Sequence, residues 1–320
     1  MDQDVLVLPR GTHGMPIEAY ADALRERLPD ARVRLARTRG EVAELLPEAT
    51  VATGYRLDAD DLDRAPNLEL FGTLYAGTDH LPLEAFEDHD VTVTNASGVH
   101  GPNVAEHAIG AALAFARRFH VARRRAERRE WRHYQAGELA GSTVTVVGLG
   151  AIGGAIVRRL EGFDVGTIGV RHTPEKGGPT DEVIGFDAAA VEDALARTEY
   201  LLLACPLTGE TRGLVDADAF DVLPPSAVLI NVARGPVVDT DALVAAIRSN
   251  QVRGAALDVT DPEPLPEDHP LWSFENVLIT PHNAGHTPEY YERLADVVAR
   301  NLERVAETGS YDGLENQVVP

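Results

Sequence analysis

The sequence predicts an α/β fold built on two doubly wound parallel sheets, and three observations predict it. Short apolar runs alternate with helical patterns at the start of the chain, a second and longer series of the same kind follows, and one long helical stretch separates them. At 320 residues the chain is long for a single core, which also favours two domains.

The first series places strands at 5–8, 33–35, 51–53, 68–74 and 91–94, with helical segments such as 17–28 between them. The helical stretch runs from about 103 to 129. The second series places strands at 144–147, 165–170, 200–204, 227–231, 254–258 and 277–280, a complete dinucleotide-binding layout in itself. Beyond Pro288, the positions Tyr291, Leu294, Val297, Val298, Leu302 and Val305 keep helical spacing, and this last helix is expected to return to the first domain. The expected division is therefore 1–100 with 286–320 for one domain and 101–285 for the other.

Composition narrows the class of protein. Acidic residues number 51 against 29 basic, a net charge of −22, and Lys176 is the only lysine. Such a surface repels nucleic acid. In dilute buffer the carboxylates repel one another, whereas in molar salt the Debye length falls to ~3 Å and screens them, so the composition resembles that of a halophilic protein. An acidic enzyme from a GC-rich genome would also exchange lysine for arginine. Cys205 is the single cysteine, so no intrachain disulfide can form. The acidic start Met1-Asp2-Gln3-Asp4 is unlike a signal peptide, and no apolar run approaches a membrane span. A soluble, cytoplasmic protein is expected. Eight arginines lie between 117 and 132, either as a solvated face or as a subunit contact.

The chemistry is carried by a few fragments. Gly148-Leu149-Gly150-Ala151-Ile152-Gly153 follows an apolar strand and opens a helix, the context in which these glycines allow a tight turn, close approach to a pyrophosphate and helix–strand packing. The phosphates would sit at the helix N-terminus. Eighteen residues past Gly153 the next strand ends in Arg171-His172-Thr173, where NAD sites usually carry an Asp or Glu for the ribose 2′-OH. A guanidinium cannot accept that hydrogen bond but pairs with a 2′-phosphate. NADP(H) is the expected cofactor, with NAD(H) possible and Lys176 a secondary phosphate contact. If Arg171 only caps the strand end, NAD would bind through its other contacts.

Arg234 stands just past one strand, Glu263 five residues past Asp258 at the end of another, and His282 just after the last, so all three are expected at one crevice. An arginine fork orients a carboxylate bidentately and never titrates away. An imidazole exchanges a proton with a carbonyl or alcohol oxygen, and a carboxylate beside it favours its charged form. This is a set for hydride transfer to an anionic substrate.

These fragments, with Cys205-Pro-Leu-Thr-Gly-Glu-Thr-Arg212-Gly, Asn231-Val-Ala-Arg-Gly-Pro-Val-Val-Asp239, Ala256-Leu-Asp258-Val, Glu263-Pro264-Leu265 and Thr280-Pro-His-Asn-Ala-Gly-His-Thr287, closely resemble the D-specific 2-hydroxyacid dehydrogenase family. Leu74-Tyr-Ala-Gly77-Thr-Asp-His80 and Val93-Thr-Asn-Ala-Ser-Gly-Val-His100, with Asn103 and Glu106, look like its substrate-domain loops. The resemblance implies a Rossmann-type cofactor domain inserted in a flavodoxin-like substrate domain, and reduction of 2-ketocarboxylates to D-2-hydroxyacids. It implies that Arg234 binds the substrate, that His282 is the acid and base, and that Glu263 is its partner. Asp258 would hold the nicotinamide carboxamide. Cys205, Pro206, Val232, Ala233, the Arg234 backbone, His282, Ala284 and Gly285 would line the cofactor. The N–H groups of Tyr75, Ala76 and Gly77 would receive the substrate carboxylate, and Asn103 would sit near the hinge. Tyr75, His100 and Trp272 are further pocket walls or packing residues. A homodimer is implied, with residues 123–134 near its interface.

Glu263 argues against formate oxidation, whose enzymes carry an amide there. A phosphite oxidiser would share the triad. A dinucleotide-sensing corepressor on the same fold need not keep Arg234, Glu263 and His282 together.

Overall fold

The computed structural model of the chain describes residues 4–319. In chain order the strands are β1 (Asp4–Val7), β2 (Arg32–Leu35), β3 (Val51–Gly54), β4 (Leu70–Thr73), β5 (Thr92–Thr94), β6 (Thr143–Val147), β7 (Gly166–Val170), β8 (Glu182–Ile184), β9 (Tyr200–Leu203), β10 (Val228–Asn231), β11 (Gly254–Leu257), β12 (Val277–Ile279) and β13 (Gln317–Val319). They divide between two compact units. Unit 1 holds the described residues up to Val99 together with those from His286 onward, and unit 2 holds His100–Gly285. His100 thus falls in unit 2, where its ring Nδ1 bonds the Gly285 carbonyl at 3.0 Å.

In unit 1 the order is β13-β5-β4-β3-β1-β2. Strands β1 to β5 run parallel in the 2-1-3-4-5 order of flavodoxin-like sheets. The edge strand β13 is antiparallel to β5, pairing Gln317 with Thr94 and Val319 with Val93. Both faces are covered, as a parallel sheet requires. One face packs Leu6, Phe71, Phe86 and Val93, and the other packs Tyr20, Leu24, Tyr290, Leu294 and Leu302. The last two groups come from helices Ile17–Arg27 and Tyr290–Thr308. Arg27 on the first helix reaches Glu292 at 2.9 Å and Asp296 at 2.5 Å on the second.

Unit 2 is a seven-stranded parallel sheet ordered β12-β11-β10-β9-β6-β7-β8. From β6 outward this is the 3-2-1-4-5-6 dinucleotide-binding order with one strand added. The order reverses between β6 and β9. Cores again lie on both faces, around Leu203, Phe220 and Leu243 on one and Phe115, Ile156 and Ile230 on the other.

Three elements differ from the sequence expectation. Strands β8 and β13 were not anticipated, because each has three residues at a sheet edge and shows no clean alternation of burial. The single helix expected over 103–129 is two, Gly101–Ala116 and Phe119–Glu127, separated where Arg118 turns left-handed at φ 55°. Gly101–Ala116 buries an apolar stripe, whereas Phe119–Glu127 buries none of its residues. Among the described residues, no helix is long and apolar enough to cross a membrane.

Candidate active site

The cofactor half of the site grows out of the β6 turn, at the switch point of the unit 2 sheet. Gly148 follows β6 at φ 93°, and a Cβ there would lie 2.7 Å from the Cys205 Cα and 2.8 Å from the Ala204 carbonyl oxygen. The turn therefore nests against the end of β9. A Cβ on Gly153 would fall 1.8 Å from the Gly148 oxygen, so the third glycine closes the turn on itself. Gly150 differs: a Cβ there would meet nothing within 4 Å. It faces open space at the start of helix Ala151–Leu160, whose first turn receives no side-chain cap. Such uncapped N–H groups at a helix N-terminus suit a phosphate.

An open cavity of about 580 Å³ lies against this turn, bordered by residues 148–150, Arg171, His172, Thr173, Phe186, Cys205, Pro206, Thr208, Glu210 and Thr211. Arg171 follows β7 directly. Its amide bonds the Ile184 carbonyl on β8 at 3.0 Å, and Nη1 donates to the Gly177 carbonyl at 2.5 Å, which fixes the guanidinium at the cavity wall. His172 Nδ1 lies 3.1 Å from Glu210 Oε2, so the carboxylate that sequence reasoning left unassigned also borders this cavity. Lys176 sits in the following 3₁₀ turn and is not among the bordering residues. Thr211 Oγ1 donates to the Pro206 carbonyl at 2.6 Å, bracing the opposite wall. Burial pushes the Cys205 thiol up to about 11, so it is protonated at neutral pH and serves as wall rather than nucleophile. A glycine open to solvent at a helix start, beside uncapped N–H groups, fits the pyrophosphate of a nicotinamide dinucleotide.

The catalytic half is set by loops after β10, β11 and β12. Asn231, 1% exposed, accepts from the Ala233 amide at 3.0 Å and donates to the Arg234 carbonyl at 3.1 Å. Gly235 packs so tightly on Thr260 that a Cβ would lie 2.0 Å from its carbonyl oxygen. Val232 and Ala233 are buried between these contacts, and the exposed Arg234 side chain is projected outward, Nη1 donating to the Ala233 carbonyl at 2.7 Å.

Glu263 sits on a loop pinned at both sides. Thr240 Oγ1 donates to the Asp261 carbonyl and Thr260 Oγ1 to the Pro262 carbonyl, each at 2.9 Å, while Leu265 is buried in the core. Trp272 Nε1 donates to the Pro266 carbonyl at 2.9 Å, so its indole braces this loop. The loop brings Glu263 Oε1 to 2.6 Å from His282 Nδ1. With Nδ1–H donated to the carboxylate, a neutral imidazole carries its lone pair on Nε2.

Beneath this pair lies a network that the motifs did not reveal. Asp258, 4% exposed, accepts from Thr280 Oγ1 at 2.5 Å, the Asn283 amide at 2.8 Å and the Ala284 amide at 2.9 Å. His107 Nε2 lies 3.2 Å from the same Thr280 hydroxyl. His282 itself is left-handed, φ 52°, and its amide donates to the Asp258 carbonyl at 2.8 Å. Asn103 Nδ2 holds the Ala284 carbonyl at 2.7 Å, and His100 holds Gly285. The buried carboxylate thus gathers the amides that follow His282 and sets the backbone from which the imidazole projects.

In unit 1, the loop after β4 has its carbonyls fixed. Asn95 Nδ2 donates to Ala76 at 2.8 Å, and the Ala96 amide donates to Tyr75 at 3.1 Å. Ala76 and Gly77 are exposed.

The family model described as "D-isomer specific 2-hydroxyacid dehydrogenase, NAD binding domain" matches residues 109–284. A glyoxylate reductase of Thermofilum pendens is 36% identical over 271 residues, covering 82% of this chain and 79% of that protein. Among solved structures, a D-isomer specific 2-hydroxyacid dehydrogenase family protein from Aeromonas salmonicida aligns at TM-score 0.80 and 28% identity over 99% of both chains. A D-isomer specific 2-hydroxyacid dehydrogenase from Xanthobacter autotrophicus, crystallised with NADPH and MES, aligns at TM-score 0.79 and 32% identity over 98% of this chain and 97% of that one. With its two parallel-sheet units, its glycine turn and its Glu263–His282 pair, the chain belongs to the D-isomer specific 2-hydroxyacid dehydrogenase family, whose members are NAD(P)-dependent oxidoreductases acting on CH–OH groups.

Proposed function

We propose that the protein reduces 2-ketocarboxylates to D-2-hydroxyacids with a preference for NADP(H). The observation that carries this reading is the 2.6 Å contact of His282 Nδ1 with Glu263, in the same unit as Arg234. The reduced nicotinamide, when bound, supplies the hydride. Arg234 offers its fork to the substrate carboxylate and orients the adjacent carbonyl. His282 gives its Nε2 proton to the keto oxygen, and Glu263 holds the ring and stabilises the imidazolium. In the reverse direction Nε2 takes the alcohol proton. Glu263 has no direct contact with substrate in this scheme.

Asp258 is assigned to the nicotinamide carboxamide as well as to the His282 backbone. Tyr75, Ala76, Gly77 and Asn103 are assigned to substrate binding. Residues 148–153, Thr173, Cys205, Pro206, Val232, Ala233, Ala284 and Gly285 are assigned to the cofactor. The preference for NADP(H) is supported by Arg171 at the cavity wall and by the Xanthobacter relative's NADPH.

We also propose a homodimer with residues 123–134 near its interface. That segment leaves Trp131 fully exposed, beside the helix Phe119–Glu127, which buries none of its residues. Replacing His282 with Ala tests the catalytic assignment. The kcat for 2-keto acid reduction should fall by about 10²–10⁴-fold, and undiminished turnover with NADPH would refute the scheme.

A further inference from the structure

We propose that the C-terminal edge of the unit 1 sheet holds a recognition site for a second anionic group on the substrate, with Arg10 as its cation. The proposal rests on the reading of the protein as a 2-keto acid reductase, and it names the substrate class.

Open α/β sheets receive ligands at the carboxyl ends of their strands. At that edge of unit 1, the loops after the adjacent strands β1, β3 and β4 build one connected cluster. The Arg10 guanidinium carbon lies 3.9 Å from the centre of the Tyr55 ring. Tyr55 stacks on His80 at 4.8 Å and meets Tyr75 edge-on at 5.4 Å. His80 Nε2 is 2.9 Å from the Tyr55 carbonyl, and Thr12 Oγ1 donates to the Tyr75 hydroxyl at 3.0 Å. The Thr12 amide donates in turn to the Tyr291 hydroxyl at 2.9 Å, which ties the β1 loop to the long C-terminal helix. The ring beneath Arg10 is therefore fixed from its other sides.

Charge singles Arg10 out from its neighbours. Arg56 is held by Asp58 at 2.5 Å, and Arg39 approaches Asp58 and Asp61 at 3.8 and 3.5 Å. No ion pair links Arg10 to a carboxylate among the described residues, in a chain with 51 acidic residues against 29 basic. A guanidinium over an aromatic face is held there by the ring, which limits its motion and hydration while its N–H groups stay available to a bidentate acceptor. Beside it is a cavity of about 160 Å³, bordered by Arg10, Arg39, Tyr55, Arg56 and Asp61, large enough for a small anionic group. The same cluster includes Tyr75, the first residue of the segment assigned to the substrate's own carboxylate. A substrate recognised by both would carry an anion at each end.

The chemistry fits a terminal carboxylate or a phosphate, and a matched panel separates them. Wild type, Arg10→Gln and Arg10→Lys are assayed with NADPH on 2-ketoglutarate, on 2-ketovalerate, which lacks only its terminal carboxylate, and on phosphohydroxypyruvate, in salt where all three proteins are folded. Wild type should favour one of the two anionic substrates over 2-ketovalerate in kcat/KM. Arg10→Gln should lower that selectivity ratio by about tenfold or more, chiefly through KM, and Arg10→Lys should recover part of it. Whichever anion is favoured identifies its source. Wild type favouring 2-ketovalerate over both anions, or Arg10→Gln depressing all three substrates equally, overturns the proposal. Turnover of none of the three overturns the underlying reading of the reaction, and this proposal with it.

Discussion

At the scale of single residues, the proposed preference for NADP(H) rests on Arg171. Its guanidinium is anchored by the Gly177 carbonyl at the wall of the 580 Å³ cavity, so it adds a fixed positive charge where a ribose 2′-phosphate would arrive. Arg171→Asp reverses that charge and supplies an acceptor for a 2′-hydroxyl. The ratio of kcat/KM for NADPH over NADH should fall by about tenfold or more, and an unchanged ratio in a steady-state assay would remove Arg171 from the phosphate site. Glu210 borders the same cavity, 3.1 Å from His172.

At the scale of elements, the glycine turn separates packing from ligand approach. Gly153→Ala drives a methyl into the Gly148 carbonyl, 1.8 Å away, and should cost about 1–3 kcal/mol or more, read as a lower melting temperature. Gly150→Ala meets no protein atom within 4 Å, so its melting temperature should stay within about 2 °C of wild type while KM for NADPH rises. Equal destabilisation by both would mean that the middle glycine is structural.

The same turn shows what was legible in the sequence. Local signals sufficed for it, since strand, glycines and helix are contiguous. Glu263 and His282 are nineteen residues apart in sequence, yet each follows a strand end in a parallel sheet, so topology alone brings them to one edge. Thr280 and His107 were invisible as a pair. Their contact spans 173 positions and depends on how helix Gly101–Ala116 packs, which no short-range pattern encodes. Asn231 was legible as part of a motif but not as the clamp of the Arg234 turn. The break at Arg118 was hidden because arginine is a good helix former, so propensity continued where the apolar stripe had already ended.

At the scale of the whole molecule, the net charge of −22 should make stability depend on salt. Carboxylate repulsion that is unscreened in dilute buffer is largely removed at molar KCl. Thermal unfolding followed by circular dichroism should shift upward by about 5 °C or more between the two. A melting temperature indifferent to KCl would assign the composition to codon usage rather than adaptation. Sedimentation in the same buffers should show a species of twice the chain mass, and a monomer at all concentrations would reject the proposed dimer.

The hydrogen bond between His100 and Gly285 has a further consequence, for the order in which the protein folds. Helix Tyr290–Thr308 and strand β13 must join β1 to β5 across everything from His100 to Gly285. While that insert is unfolded, bringing its ends together costs entropy on the order of 4 kcal/mol. Once it has folded, its ends are already a hydrogen bond apart and the long loop behaves as a short one. Unit 2 should therefore gain hydrogen-exchange protection before β5 and β13 do, and unit 1 would inherit its speed from the insert it surrounds.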